Sequence, residues 1–283
     1  MNPDPATFSP EAETQLRESL RRCSPETVMA AVAYRRTRDP QCLPALIGGV
    51  FERYIEPEIR PKLASANRDD LRVIEDLGID SLTLMEIVML LEEAGGLTIA
   101  NDELRQLRTL GDIRTFVDCR VRGLPYSPPA RLDHEAVLAA MPVQPPFLFI
   151  DEAVISKTSI SATYRITGEE VFLQGHFKGN PVMPGSLMLE ALGQLGVLYL
   201  VSGQLDDANH KVDSGSLLFT SADGVRCHRV CRPGDTLSLR LKPKRIKAPI
   251  IVFEGDVRVG SDKAVGAEEI TLTFGFKETP PTA

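Results

Sequence analysis

The stretch Gly185–Val201 constrains this chain more than any other. It is apolar nearly all round, which suits a helix enclosed by other elements better than one lying on a surface. It is short for a membrane span and carries Glu190 and Gln194 within it. On either side the sequence keeps the two-residue period of strands. Ile160, Ala162, Tyr164 and Ile166 alternate before it; Leu237, Leu239 and Leu241 alternate after it. So do Ile251, Phe253, Val257 and Val259, with Gly255 in phase, and Ile270, Leu272, Phe274 and Phe276. One curved antiparallel sheet around a single buried helix satisfies both patterns.

The N-terminal half obeys a different period. Ser9-Pro10-Glu11 and Ser24-Pro25-Glu26 each place a capping Ser, a Pro at the first helical position and an acid in the first turn. Helices are expected at 10–22 and 25–36, then at 43–62. Another follows Asp80 and runs to Glu93, with Leu84, Ile87, Val88 and Leu91 at helical spacing and Gly95-Gly96 to end it. Short helices near 101–106 and 111–121 complete an all-helical region. The prolines of Gly123-Leu124-Pro125-Tyr126-Ser127-Pro128-Pro129 then mark a semi-extended linker. The fold class is two domains, an all-α bundle followed by an α+β domain.

With 43% hydrophobic and 25% charged residues, the composition excludes a disordered or fibrous chain. The net charge of −7 argues against a global attraction to nucleic acid. Locally, ten acids and one base (Arg72) lie between Asp69 and Glu103, whereas eight bases and one acid (Asp235) lie between Arg226 and Lys247. Five scattered cysteines suit a reducing compartment and no disulfide framework. The polar N-terminus is unlike a signal peptide, and a cytoplasmic location is expected.

The first chemical motif is Gly78-Ile79-Asp80-Ser81-Leu82. An Asp-Ser pair at a helix start is commonly only a cap. Here the turn at Leu77-Gly78 exposes the hydroxyl, and the positive end of the helix favours a phosphate on its first residue. Residues 43–122 resemble an acyl carrier protein, through Glu75-Asp76-Leu77-Gly78-Ile79-Asp80-Ser81-Leu82 and the acids Glu86, Glu92 and Glu93. The resemblance implies that Ser81 receives a 4′-phosphopantetheine arm, attached by a phosphopantetheinyl transferase. It also implies that Glu86, Glu92 and Glu93 are read by partner enzymes. Residues 1–42 have no counterpart in a minimal carrier.

The second motif joins His176 to Glu190. Glu190 lies in an apolar helix that bears no Lys or Arg. Burial without a cation raises a carboxyl pKa, and a neutral carboxyl in such a place serves as a general acid. Gln194, one turn on, can hydrogen-bond it. Gly193 and Gly196 leave room for a backbone or a narrow ligand. His176 precedes the rigid Pro181-Val182-Met183-Pro184-Gly185, and Gly185 and Ser186 offer free N–H groups at the helix start to a thioester oxygen.

Residues 134–277 resemble the FabZ/FabA-like hot-dog 3-hydroxyacyl-[acyl-carrier-protein] dehydratases. The likeness rests on the run from His176 to Gly185, on Glu190, on Pro146-Phe147-Leu148-Phe149-Ile150-Asp151 as an opening strand, and on Pro233-Gly234-Asp235 as a late turn. Glu at position 190 is similar to the FabZ type. Gln144-Pro145, Lys178 and Ser186 depart from the family pattern. The resemblance implies that His176 takes the proton beside the thioester carbonyl, the Gly185 N–H steadies the oxygen and Glu190 protonates the departing 3-hydroxyl. It further implies a homodimer in which His and Glu come from different chains.

Cys227-His228 and Cys231 lack the spacing of a zinc pair, so no metal is expected. The stretch 225–235 is expected to be a strand. The run Arg240, Lys242, Lys244, Arg245, Lys247 reads as a solvated strand face or, more sharply, as a carrier-docking surface.

The domain layout is therefore a helical extension (1–42), a carrier-like domain (43–122), a linker (123–133), a hot-dog domain (134–277) and a disordered tail (278–283). The expected function is dehydration of 3-hydroxyacyl thioesters on a phosphopantetheine carrier to trans-2-enoyl thioesters, in fatty-acid or polyketide-like synthesis. The expected partners are acyl thioesters, synthase enzymes and other acyl carriers. The alternatives are a non-catalytic hot-dog scaffold presenting a carrier, a dehydratase with added isomerase activity, and a thioesterase.

Overall fold

Ser9 and Ser24 start the first two helices as their neighbours require. Their hydroxyls accept the N–H of Ala12 and of Thr27, each at 3.2 Å, and launch α1 (Pro10–Ser19) and α2 (Pro25–Thr37). The computed structural model describes residues 8–64, 68–206 and 210–277. The tail at 278–283, expected to be disordered, lies outside the described residues. The chain divides into two compact units, one ending at Pro128 and one beginning at Pro129.

In the first unit, α3 (Leu43–Glu52) is shorter than the expected 43–62, because Pro57 and Pro61 cannot continue an α-helix. The 3-10 turn Arg60–Ala64 follows instead. Then come α4 (Ser81–Gly95), α5 (Asn101–Leu104) and α6 (Leu110–Val121). Gly96 ends α4 in the left-handed region at φ 62°, which a Cβ would strain.

Residues 8–42 do not form a separate appendage. Leu16 and Leu20 from the first hairpin, and Ala31, Val32 and Tyr34 of α2, share one core with Leu46 and Val50 of α3, Ile87 and Leu91 of α4 and Phe116 of α6. The closest approach is at Gly49, where a Cβ would lie 1.8 Å from Thr27 Oγ1. Gly49→Val is therefore expected to lower the stability of this unit by about 1–3 kcal/mol through overpacking. Chemical denaturation followed by helical circular dichroism measures this, and an unshifted midpoint would contradict the docking of α2 on α3.

The linker is shorter than the 123–133 expected. Tyr126 packs edge-on against Phe116 with ring centroids 5.2 Å apart. Residues Ala130–Leu132 already form β1, paired with β2 (Glu152–Ile155).

The second unit continues with α7 (His134–Ala140), β3 (Ile160–Arg165), α8 (Gly185–Val201), β4 (Val212–Asp223), β5 (Arg226–Cys227), β6 (Thr236–Lys247), β7 (Ile250–Val259) and β8 (Asp262–Phe276). All strand pairs are antiparallel, in the order β1-β2-β3-β6-β7-β8-β4, with β5 also on β8. Alternate residues point inward: Leu237, Leu239 and Leu241 from β6, Phe253 and Val257 from β7, Ile270, Leu272 and Phe274 from β8. They enclose Ala191, Leu192, Leu195 and Leu198 of α8. Burying each Leu contributes roughly 1.5–3 kcal/mol, so the apolar helix is held by the sheet that wraps it.

Gly193 and Gly196 admit side chains. A Cβ on Gly193 would meet the Phe219 ring at 2.7 Å, and one on Gly196 would meet Leu272 at 3.1 Å. Residues 146–151 are not a strand as expected. Pro145 and Pro146 lack an N–H, and Phe149 spends its N–H on a side chain. Of 225–235 only β5 is a strand. Among the described residues no helix is long and apolar enough to cross a membrane.

Candidate functional site

The start of α4 is built to expose one hydroxyl. Leu77 and Ile79 are buried, and Gly78 turns the chain between them at φ 67°. Asp80 then takes the capping role, its Oδ1 accepting the Thr83 N–H at 2.8 Å. That hydrogen bond lowers the Asp80 carboxyl pKa. Ser81 is thereby relieved of capping. It is exposed at the first helical position, and its hydroxyl has no hydrogen-bond partner among the described residues. An unengaged hydroxyl at the positive end of a helix fits a phosphodiester attachment. Leu82 (73% exposed), Met85 and Met89 (65%) make the neighbouring surface apolar.

The three acids expected to serve carrier recognition divide. Glu86 is exposed on the turn after Ser81. Glu92 Oε1 accepts the Ile99 N–H at 2.7 Å and so braces the chain leaving α4. Glu93 Oε1 accepts the Ser19 hydroxyl at 2.6 Å, while Arg35 donates to its carbonyl at 2.6 Å. The N-terminal helices thus engage Glu93 through both its side chain and its carbonyl.

In the second unit, the loop 175–184 carries His176 and leads into α8. The loop is closed by Val182 N–H to the His176 carbonyl at 2.8 Å and by reciprocal Phe177–Asn180 bonds at 2.9 Å. Outside it, Met183 N–H donates to the Cys231 carbonyl at 2.9 Å, and Arg232 Nη1 donates to Asn180 Oδ1 at 2.5 Å. Asp235 holds that hairpin through the Arg232 N–H at 2.9 Å and Arg229 Nη2 at 3.1 Å.

His176 is half-buried and stacks on Phe177 at 4.2 Å. Its Nδ1 lies 2.9 Å from the Val182 carbonyl. A carbonyl only accepts, so Nδ1 carries the hydrogen and the neutral ring keeps a lone pair on Nε2. That is the state a general base needs.

Pro184 begins α8 with no side-chain cap. The N–H groups of Gly185 and Ser186 therefore have no acceptor within the helix. Cys227 Sγ lies 2.7 Å from where a Gly185 Cβ would sit, so a side chain there would have to displace Cys227. Glu190 follows on the same helix, half-buried rather than sealed in the core, with Oε1 accepting from Gln194 Nε2 at 3.1 Å. Within one chain no hydrogen bond among the described residues joins His176 to Glu190.

Cys227 is exposed, whereas burial pushes the Cys231 thiol up to about 11. The basic run on β6 meets acids across the sheet. Arg240 is opposite Asp256 and Lys242 opposite Glu254, while Lys244 pairs with Glu269 at 3.1 Å. A sheet face compensated in this way offers a carrier less positive charge than its sequence suggests.

Sequence reasoning missed the Arg232–Asn180 bond and the Cys227–Gly185 contact. Each joins loops distant in sequence, and no local pattern signals them.

Residues 63–117 match the phosphopantetheine attachment site family, and residues 141–268 match the FabA-like domain. The 3-hydroxyacyl-[acyl-carrier-protein] dehydratase FabZ of Caulobacter vibrioides (strain NA1000 / CB15N) is 35% identical over 154 residues, covering 54% of this chain and 92% of that protein. FabZ of Albidiferax ferrireducens is 39% identical over 140 residues, covering 48% and 91%. FabZ of Anaplasma marginale (strain Florida) is 33% identical over 143 residues, covering 50% and 96%. The chain belongs to the FabZ dehydratase family, with a phosphopantetheine carrier unit fused ahead of the hot-dog domain.

Proposed function

We propose that the second unit converts 3-hydroxyacyl thioesters into trans-2-enoyl thioesters and water, and that Ser81 carries the arm on which such acyl groups are held. The observation that carries this reading is the His176 ring, oriented by its Nδ1 bond to the Val182 carbonyl, in the loop that leads into a helix bearing both an uncapped N-terminus and Glu190.

His176 Nε2 removes the proton from the carbon next to the thioester carbonyl. The Gly185 N–H donates to the carbonyl oxygen as it gains charge, where a fixed donor is worth most. Glu190 gives its proton to the 3-hydroxyl, which leaves as water as the double bond forms. Proton return from His176 to Glu190, directly or through solvent, restores both groups. The phosphopantetheine arm supplies the thioester linkage and the reach. Both proton transfers to and from the substrate belong to protein side chains.

We also infer a homodimer with the site completed across it. Among the described residues the outer strand β4 has a free edge, and it exposes Leu218 (60%) and Phe219. The absence of a His176–Glu190 bond within one chain agrees with this. The partners we propose are a phosphopantetheinyl transferase, synthase enzymes and acyl carriers that read the surface around Ser81 and Glu86. Five unpaired cysteines support a cytoplasmic setting.

The test is conversion of a 3-hydroxyacyl thioester by the full chain, followed by enoyl absorbance. Formation of enoyl product supports the reading. No product from any 3-hydroxyacyl chain length would favour the scaffold alternative.

A further inference from the structure

Gln194 is almost completely buried (2% exposed), and its oxygen and both of its N–H hydrogens are engaged. Its Oε1 accepts the Phe149 N–H at 2.8 Å. Its Nε2 donates to the Phe147 carbonyl at 2.7 Å and to Glu190 Oε1 at 3.1 Å. The two backbone contacts determine the amide orientation without appeal to the third. Turning the amide over would set N–H against N–H at Phe149 and oxygen against oxygen at Phe147. The remaining N–H must therefore point at Glu190, and Glu190 Oε1 must accept it.

We propose that Gln194 is a positioning residue that decides which oxygen of Glu190 carries the transferable proton, holding Oε1 as acceptor and leaving Oε2 to donate to the substrate hydroxyl. In a neutral carboxyl the carbonyl oxygen is the better acceptor, so the hydrogen resides on Oε2. When that proton has left, the same N–H faces a carboxylate oxygen, and a charge-assisted bond is stronger than a neutral one. Gln194 thus orients the acid before the step and stabilises the anion after it. Because Phe147 and Phe149 anchor the amide from a different segment, the side chain cannot follow Glu190 into other rotamers. This inference rests on the dehydratase reading above.

The test is a double-mutant cycle on the full chain, with Gln194→Glu and Glu190→Gln singly and together, assayed with a 3-hydroxyacyl N-acetylcysteamine thioester. Gln194→Glu keeps the shape and can still accept from Phe149, but it offers at most one hydrogen where Gln194 offers two. The expected result is a fall in kcat of about tenfold with KM nearly unchanged, as for lost general-acid alignment. In the Glu190→Gln background the same change is expected to cost less than about twofold, because residues acting as one unit are not additive. Gln194→Met, which loses all three bonds, is measured alongside, with melting curves for each variant. Equal losses in both backgrounds, or an unchanged kcat in folded Gln194→Glu, would overturn the proposal. So would a Glu190→Gln protein as active as the parent. Failure of the parent chain to dehydrate any substrate would instead remove the dehydratase reading, so the two failures are distinguishable.

Discussion

Coexpressed His176→Ala and Glu190→Gln chains are expected to regain activity that neither has alone. Each variant by itself removes a proton-transfer group and is expected to lose about 10²–10⁴-fold in kcat. In a mixed dimer, one site receives both defects and the other receives the intact His176 of one chain and the intact Glu190 of its partner. With random pairing, half the dimers are mixed and each has one working site of two, so roughly a quarter of parental activity returns. The physical basis is that the single chain gives His176 and Glu190 separate partners, Val182 and Gln194, and that no described strand covers the outer edge of β4. Mixed dimers purified through two affinity tags give the measurement, and in them the expected return is roughly half of parental activity. Activity no higher than that of the two variants alone would place both residues of a site in one chain.

Ser81→Ala is expected to abolish arm attachment without disturbing the second unit. Asp80, not Ser81, caps α4, and the Ser81 hydroxyl makes no hydrogen bond among the described residues. Alanine is also a good helix former, so the change does not weaken α4. Intact mass after incubation with a phosphopantetheinyl transferase and coenzyme A is expected to show no gain in the variant and one arm in the parent. Turnover of a free 3-hydroxyacyl thioester is expected to stay within about twofold, because a surface substitution away from the second core changes stability little. A variant that still gains the arm would refute Ser81 as the attachment point.

Much of the positions of the two sites was legible in the residues themselves. The Gly78-Ile79-Asp80-Ser81 turn and the helix after it follow from local chemistry: a left-handed glycine, a capping acid and apolar residues at helical spacing. Helix α8 follows from its uniform apolarity. What stayed hidden depends on distant partners. The helices at 10–19 and 25–37 could be read from their Ser-Pro starts, yet nothing local shows that Leu16 and Tyr34 enter the carrier core or that Ser19 engages Glu93. Strand β4 escaped because its register shifts between Asp213 and Leu218 and again between Phe219 and Ser221, which breaks the two-residue alternation. Glu190 and Gln194 were paired from their spacing. The part of Gln194 that matters most, its two bonds to the 147–149 backbone, crosses forty-five and forty-seven residues of sequence.

The excess of acids around α4 also changes meaning once the fold is known. Glu92 and Glu93 contribute to holding the carrier unit together, and the surface beside Ser81 is made by Leu82, Met85, Glu86 and Met89. The face beside Ser81 is therefore more apolar, and less charged, than ten acids in a short stretch suggest.

The central claim is that this chain removes water from a 3-hydroxyacyl thioester by means of His176 and Glu190. The most direct measurement loads a 3-hydroxyacyl group onto the arm of the full-length protein and follows its intact mass with time. Loss of the mass of one water from the parent, and its absence in His176→Ala and Glu190→Gln loaded in the same way, is the predicted result. A loaded parent that keeps its mass, also when mixed with free 3-hydroxyacyl carrier, or variants that lose water as fast as the parent, would contradict it.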